Sequence, residues 1–179
     1  MNINSVRYLF FFLMFFLFSI ESVCATDAGS GRVKMQGAVT EAACAIDTSS
    51  RDQTIEMSIF PINSLLQSEA SSHKLFSINL INCVLGRVNP NLPDWQRFQI
   101  TFDGLEDHGF FGVDGQARGI ALQIADAEGN VAIPGNPLPS IAMMQGNRKL
   151  DYSLRLVGNQ QTIRPGHYNS TIRFKMNYY

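Results

Sequence analysis

Residues Gly166–Tyr179 read GHYNSTIRFKMNYY. Every second residue from Tyr168 onward (Tyr168, Ser170, Ile172, Phe174, Met176, Tyr178) falls on one side, with mostly polar residues between. Side chains of a strand alternate between its two faces, so this spacing predicts a β-strand with one face made for a core. Terminal residues usually fray, yet these carry one of the best strand patterns in the chain. That face needs a cover.

The same period of two runs back through the sequence. RVKMQGAVTEAACAI (32–46) alternates Val33, Met35, Gly37 and Val39, and TIEMSIF (54–60) sets Ile55, Met57 and Ile59 together. KLFSINLINC (74–83) aligns Phe76, Ile78 and Leu80, and RFQITFDG (97–104) aligns Phe98, Ile100 and Phe102. In GIALQIADAEGNVAI (119–133), Ile120, Leu122 and Ile124 precede a Glu128-Gly129-Asn130 turn and a short return strand. KLDYSLRLVGN (149–159) aligns Leu150, Tyr152, Leu154 and Leu156. Clusters of Gly, Pro and Asn (VNPNLPD, IPGNPLP, IRPGH) separate these runs, as turn chemistry requires. PINSLLQSEASS (61–72) reads as a short helix or an irregular loop, and FFGVDGQARG (110–119) as a turn before the next strand. Some seven short strands with turn signals predict an antiparallel, immunoglobulin-like β-sandwich.

At the other end, MNINSVRYLFFFLMFFLFSIESVCA places one cation, Arg7, before an apolar run from Leu9 to about Ile20 and a small-residue exit at Val23-Cys24-Ala25. Residues 1–25 therefore read as a secretory signal peptide, with the mature chain starting near Thr26. The run falls short of the roughly 20 residues that a spanning helix needs, and Val23 stands where a lipidated Cys24 would want Gly or Ala. Removing residues 1–25 from the 179 leaves 154, the size of one domain. Of three cysteines, Cys24 leaves with the leader, so Cys44 and Cys83 remain as an even pair in an exported chain. They predict a disulfide, a free thiol being the weaker alternative. Closing a loop of that length stabilises a fold by about 4 kcal/mol on the chain-entropy model.

Residue chemistry narrows the function classes. The formal net charge is −1, and no basic stripe points to nucleic acid. His73, His108 and His167 are scattered without metal-ligand spacing, and no nucleophile elbow or phosphate loop is present. Asp103, Glu106 and Asp107 cluster in FDGLED without the spacing of a calcium loop, which leaves a solvated turn. The sequon at Asn169 lies inside the terminal strand pattern. No enzyme, cofactor, metal or small-molecule substrate is expected. A secreted carbohydrate-binding sandwich is the reading from another class. It requires an exposed aromatic platform, for which Trp95 and the Phe110-Phe111 pair are the available residues, and these read as packing or loop.

Taken jointly, the two ends carry a further signal. Gly166 stands fourteenth from the end and Tyr178 is a penultimate aromatic. The early alternation around Gly37 runs into the first cysteine through GAVTEAAC. This combination resembles the subunits of chaperone–usher pili over essentially the whole mature chain. The resemblance implies an incomplete immunoglobulin-like pilin sandwich lacking its final strand, with residues 26–39 as an N-terminal donor-strand extension and 40–179 as the pilin domain. It further implies that Val33, Met35, Gly37 and Val39 are lent to a neighbour. Gly166, Tyr168, Ile172, Phe174, Met176 and Tyr178 would line one wall of the chain's own groove, and a chaperone's basic side chains would grip the Tyr179 carboxylate. Gly29 and Gly31 depart from the bulkier residues usual in a donor. The implied partners are a periplasmic chaperone, an outer-membrane usher and neighbouring pilins, on a route through the periplasm to the fimbria at the cell surface. RFQITFDG, GQARGIALQIADAEGN and LDYSLRLV look most like the P-pilus-type terminator, the minor pilin that ends assembly and holds the fibre base; an ordinary extending pilin is the alternative. About five apolar side chains missing from a groove would forfeit on the order of 7–15 kcal/mol. A domain has only about 5–15 kcal/mol to spare.

Overall fold

A strand pattern becomes a strand only where a neighbour completes its ladder, and a computed structural model shows which runs find one. It describes residues 29–68 and 73–179; the leader reading of residues 1–25 lies outside these. Contacts divide the chain into two units between Val39 and Thr40. In the first, residues 29–39 form no strand, and Val33, Met35 and Val39 are 85%, 89% and 104% exposed. The alternation there has no partner, and an unpaired strand is not stable by itself in water.

The second unit is an incomplete β-sandwich. Along the chain come β1 (Ala45–Ile46), α1 (Thr48–Arg51), α2 (Ile62–Ser68), β2 (Lys74–Cys83), β3 (Arg97–Asp103), β4 (Glu106–Asp107) and β5 (Phe110–Phe111). Then follow β6 (Asp114–Gly115), β7 (Ile120–Asp126), β8 (Ile141–Ala142), β9 (Gly146–Gly158), β10 (Tyr168–Asn169) and β11 (Arg173–Tyr178). Among the described residues a six-stranded sheet runs β1-β2-β9-β7-β5-β4, a three-stranded sheet runs β11-β3-β8, and β10 pairs with β6. Each of these pairings is antiparallel. The two larger sheets share one core. Ile78, Leu80, Leu150 and Leu154 of the first meet Phe98, Ile100 and Phe102 of the second, and Phe102 stacks edge-on against Tyr152 at 5.1 Å.

Cys44 and Cys83 are joined by a disulfide. Ile78 and Leu80 point inward from β2, so strict alternation would turn Cys83 outward. The β2–β9 register shifts between Leu80 and Cys83, and Asn82 adopts φ 54° there with its N–H donating to Asn147 Oδ1. Asparagine tolerates that left-handed backbone, and the extra residue of the bulge returns Cys83 to the core face.

The structure differs from the sequence expectation in four places. The terminal run is two strands, because between Ser170 and Ile172 the chain leaves β6 for β3; Ser170 Oγ donates to the Gly112 carbonyl at that step. Residues 53–61 form no strand, and Ile59 faces solvent while Ile55, Met57 and Phe60 pack on the core. The return strand after Gly129 reduces to a single bridge between Ala125 and Val131. FFGVDGQARG contains β5 and β6, with Phe111 fully buried, and is more than a turn. Within PINSLLQSEASS, Ile62–Ser68 form the helix α2, whose Leu65 is buried; residues 69–72 lie outside the described ones.

Candidate functional site: an open apolar groove

β11 has the polar–apolar rhythm of an edge strand. Phe174, Met176 and Tyr178 are half-buried, and Arg173, Lys175 and Asn177 are exposed. On one side it pairs with β3 from Arg173↔Asp103 to Tyr178↔Phe98; on the other it has no ladder partner among the described residues. The apolar side chains reach inward, Phe174 to Phe102 at 6.3 Å and Tyr178 to Trp95 at 5.9 Å. They remain half-exposed because their remaining side faces an opening.

That opening is a groove of about 1260 Å³. One wall is the unpaired segment 51–60 followed by Ile62 and Leu65 of α2. The other is the arm 163–174, and the floor is core: Phe76, Ile78, Phe102, Ile120, Leu122, Ile124, Leu154 and Leu156. Gly166, Tyr168, Ile172 and Phe174 all line it; Met176 and Tyr178 continue the same face of β11 beyond it. Gly166 is where the arm presses closest to its support. A Cβ there would lie 2.6 Å from the Ala117 nitrogen and 2.7 Å from the Gln116 carbonyl carbon, so the arm can approach 116–117 only without a side chain. Gly115 does the complementary service at φ +120°, where a side chain would strike the His167 carbonyl oxygen. Two backbone bonds between Arg118 and Arg164, at 3.1 and 3.0 Å, hold the arm's start.

The groove is electrostatically quiet. Burial pushes the Tyr168 and Tyr178 phenols up from their ordinary value, for Tyr178 against a Cys44 backbone hydrogen bond that works the other way, so both stay neutral. Burial also raises Tyr152. Of the acids singled out in FDGLED, Asp107 has competing influences: partial burial raises its carboxyl, but hydrogen bonds from Asn159 and His108 hold it below the ordinary value. Glu106 accepts from the Gly109 N–H, and Asp103 sits 3.7 Å from Arg173. Among the described residues no three His, Cys, Asp or Glu side chains gather in a metal-holding arrangement. Trp95 and Phe111 are buried, so neither serves as an exposed aromatic platform.

Tyr179 is held at the end of β3. Its main-chain oxygen accepts from the Gln96 N–H at 2.7 Å and the Arg97 N–H at 3.3 Å, while its N–H donates to the Arg97 carbonyl at 2.9 Å. Its phenol meets Gln99 Oε1. Val33, Met35, Gly37 and Val39 belong to the other unit and are exposed, outside any strand. The second wall, segment 51–60, was not singled out in the sequence. Ile55 and Met57 were legible as an apolar pair, but nothing local marks a strand-like run as unpaired. Arranged this way, the site can take one extended segment. An apolar face would cover the floor, and backbone groups would bond the free edge of β11.

No family model matches the chain. It is 35% identical over 150 residues to the PRS fimbrial minor pilin protein of Escherichia coli, a match covering 83% of this chain and 77% of that one. The PAP fimbrial minor pilin protein of the same organism matches by the same measures. In fold it is similar to a chain of a solved chaperone–usher pilus, with a TM-score of 0.65 at 20% identity over 86% of this chain and 98% of that one. On the strength of the fimbrial relatives and the shared fold, the chain belongs to the chaperone–usher fimbrial pilin family.

Proposed function

We propose that this pilin is a structural minor subunit whose fold is completed by a strand lent from another protein. A periplasmic chaperone lends it first, and a fibre context follows after delivery to the outer-membrane usher. The observation that carries the reading is the groove: an apolar floor of core residues lying open between segment 51–60 and the arm 163–174, beside the unpaired edge of β11. An exposed edge beside uncovered core is a template for strand addition. Residues 26–39 are the matching donor, because Val33, Met35 and Val39 place three apolar groups on one side of an extended segment with Gly37 between them. The likeness to minor pilins supports a terminating or anchoring role at the fibre base, in which the chain donates a strand and accepts none from sister subunits. The route is through the periplasm to the cell surface, and the role is mechanical.

The test is expression of residues 26–179 in the periplasm, alone and with the cognate chaperone. Alone the chain should be degraded or aggregate; together they should yield a 1:1 complex. A soluble monomer with a cooperative melt would refute strand completion. The terminator role is tested by offering that complex donor peptides from sister subunits. Retention of the chaperone is expected, whereas rapid release assigns the chain to the extending pilins.

A further inference from the structure

The loop that follows β2 holds the root of the extended segment. Glu41 Oε1 accepts from the Val88 N–H at 2.6 Å, and its Oε2 lies 3.5 Å from Arg87 Nη2. The Ala43 carbonyl accepts from the Val84 N–H at 2.8 Å. Arg87 is itself fixed, its guanidinium 3.9 Å from the Trp95 ring centre and its Nε buried without a hydrogen-bond partner. Two residues after Glu41, Ala43 is in the core, and Cys44 is bound to Cys83. The chain is thus pinned from Glu41 onward, and only Thr40 separates that pin from Val39. The two residues whose N–H groups bond the pin carry exposed apolar side chains: Val84 at 49% and Val88 at 88%.

We propose that Val84 and Val88 form a docking plate for the pilin subunit whose groove receives Val33–Val39, with Glu41 and Arg87 as positioning residues that set where the donated segment leaves. The inference rests on the strand-donation reading above. Its warrant is chain length: two residues of extended backbone reach about 7 Å, so a Val39 seated in a partner's groove stays within that distance of Glu41. Groove walls flank a seated strand at about 5 Å, the spacing of neighbouring strands. The partner's nearest wall therefore comes within about 12 Å of Glu41, in reach of the residues that bond Glu41 and Ala43, which are Val88 and Val84. A single exposed valine needs no explanation; two on the residues that bond the root of a short tether acquire one. The partner is a second pilin-type sandwich, because a groove closed around an extended, apolar-faced strand is what the segment fits.

The experiment places a photo-crosslinking residue at Met35 or at Val88 in fimbriated cells and identifies the linked protein by mass spectrometry. Linkage of both positions to the same pilin is the expected result. If Met35 links to a pilin and Val88 links to nothing or to a different protein, the plate is overturned while donation stands. If Met35 links to no pilin, donation fails and the plate with it. A paired variant measures the energy. V84E/V88E should lower recovery of the linked pair by about tenfold, since it places unpaired charges under a partner. L75E, an equally exposed change at the far end of β2, should leave recovery unchanged. Chaperone-complex yield and melting of V84E/V88E should match the parent, both side chains being outside the core. Equal recovery for V84E/V88E and L75E would remove the proposal.

Discussion

Two segments of this pilin carry the same polar–apolar rhythm and meet different fates. Residues 33–39 alternate around Gly37 and stand free, their apolar side chains in solvent and their backbone without a ladder. Residues 173–178 alternate in the same way, yet form β11, bonded residue by residue to β3 and half-buried against Phe98 and Phe102. The two glycines of the comparison divide likewise. A Cβ at Gly37 would meet nothing within 4 Å, whereas one at Gly166 would strike backbone at 2.6 Å. The difference lies in what is opposite, not in propensity. β11 has a partner on one side and a vacant core face on the other; the N-terminal segment has neither. One is a strand with a single neighbour, the other an alternating run with no ladder.

The largest test of this contrast supplies the missing neighbour within one chain. Joining a copy of residues 29–40 after Tyr179 through a flexible turn should give a soluble monomer that needs no chaperone, stabilised on the order of 7 kcal/mol or more if the whole floor is covered. The yield of soluble monomer from the fused and parent chains, each expressed without chaperone, decides it, and a fusion as insoluble as the parent would mean that the groove does not take such a strand. A second test compares matched side chains. Phe174→Ala should cost about 2–4 kcal/mol, toward the lower part of the range for a buried phenylalanine because Phe174 is only half-covered. Met35→Ala should leave the melt of the chaperone complex unchanged and weaken donation alone. Equal losses would erase the distinction between the segments. The smallest effect compares the glycines. Gly166→Ala should destabilise by about 1–3 kcal/mol through overpacking against Gln116 and Ala117, and Gly37→Ala should not register in the same melt.

Much of the fold was legible because burial on one face imposes a local period. β2, β3, β7 and β9 bury the residues that alternation singles out: Ile78 and Leu80, Phe98 to Phe102, Ile120 to Ile124, and Leu150 to Leu156. Cysteine pairing was legible from parity and export. The runs that went astray did so for non-local reasons. TIEMSIF has strand-like spacing, but no ladder forms along it and Pro61 ends it, so Ile59 is left in solvent. The terminal run was read as one strand because nothing in its own residues announces a change of partner from β6 to β3. Gly166 was recognisable by position; the press of the arm on residues 116–117 that demands it was not.

By itself, then, the order of amino acids determined that this chain makes an antiparallel sandwich with one disulfide and carries two end segments with one apolar face each. Side-chain alternation and cysteine parity act over a few residues and need no partner to be read. Only the tertiary structure decided which of the alternating runs is paired and which edge is left bare. It also decided that the floor between segment 51–60 and the arm is uncovered core and that Glu41 is pinned beside Val88. A hydrogen-bond ladder and a shared core are properties of residues distant in sequence, and no local period encodes who the partner is.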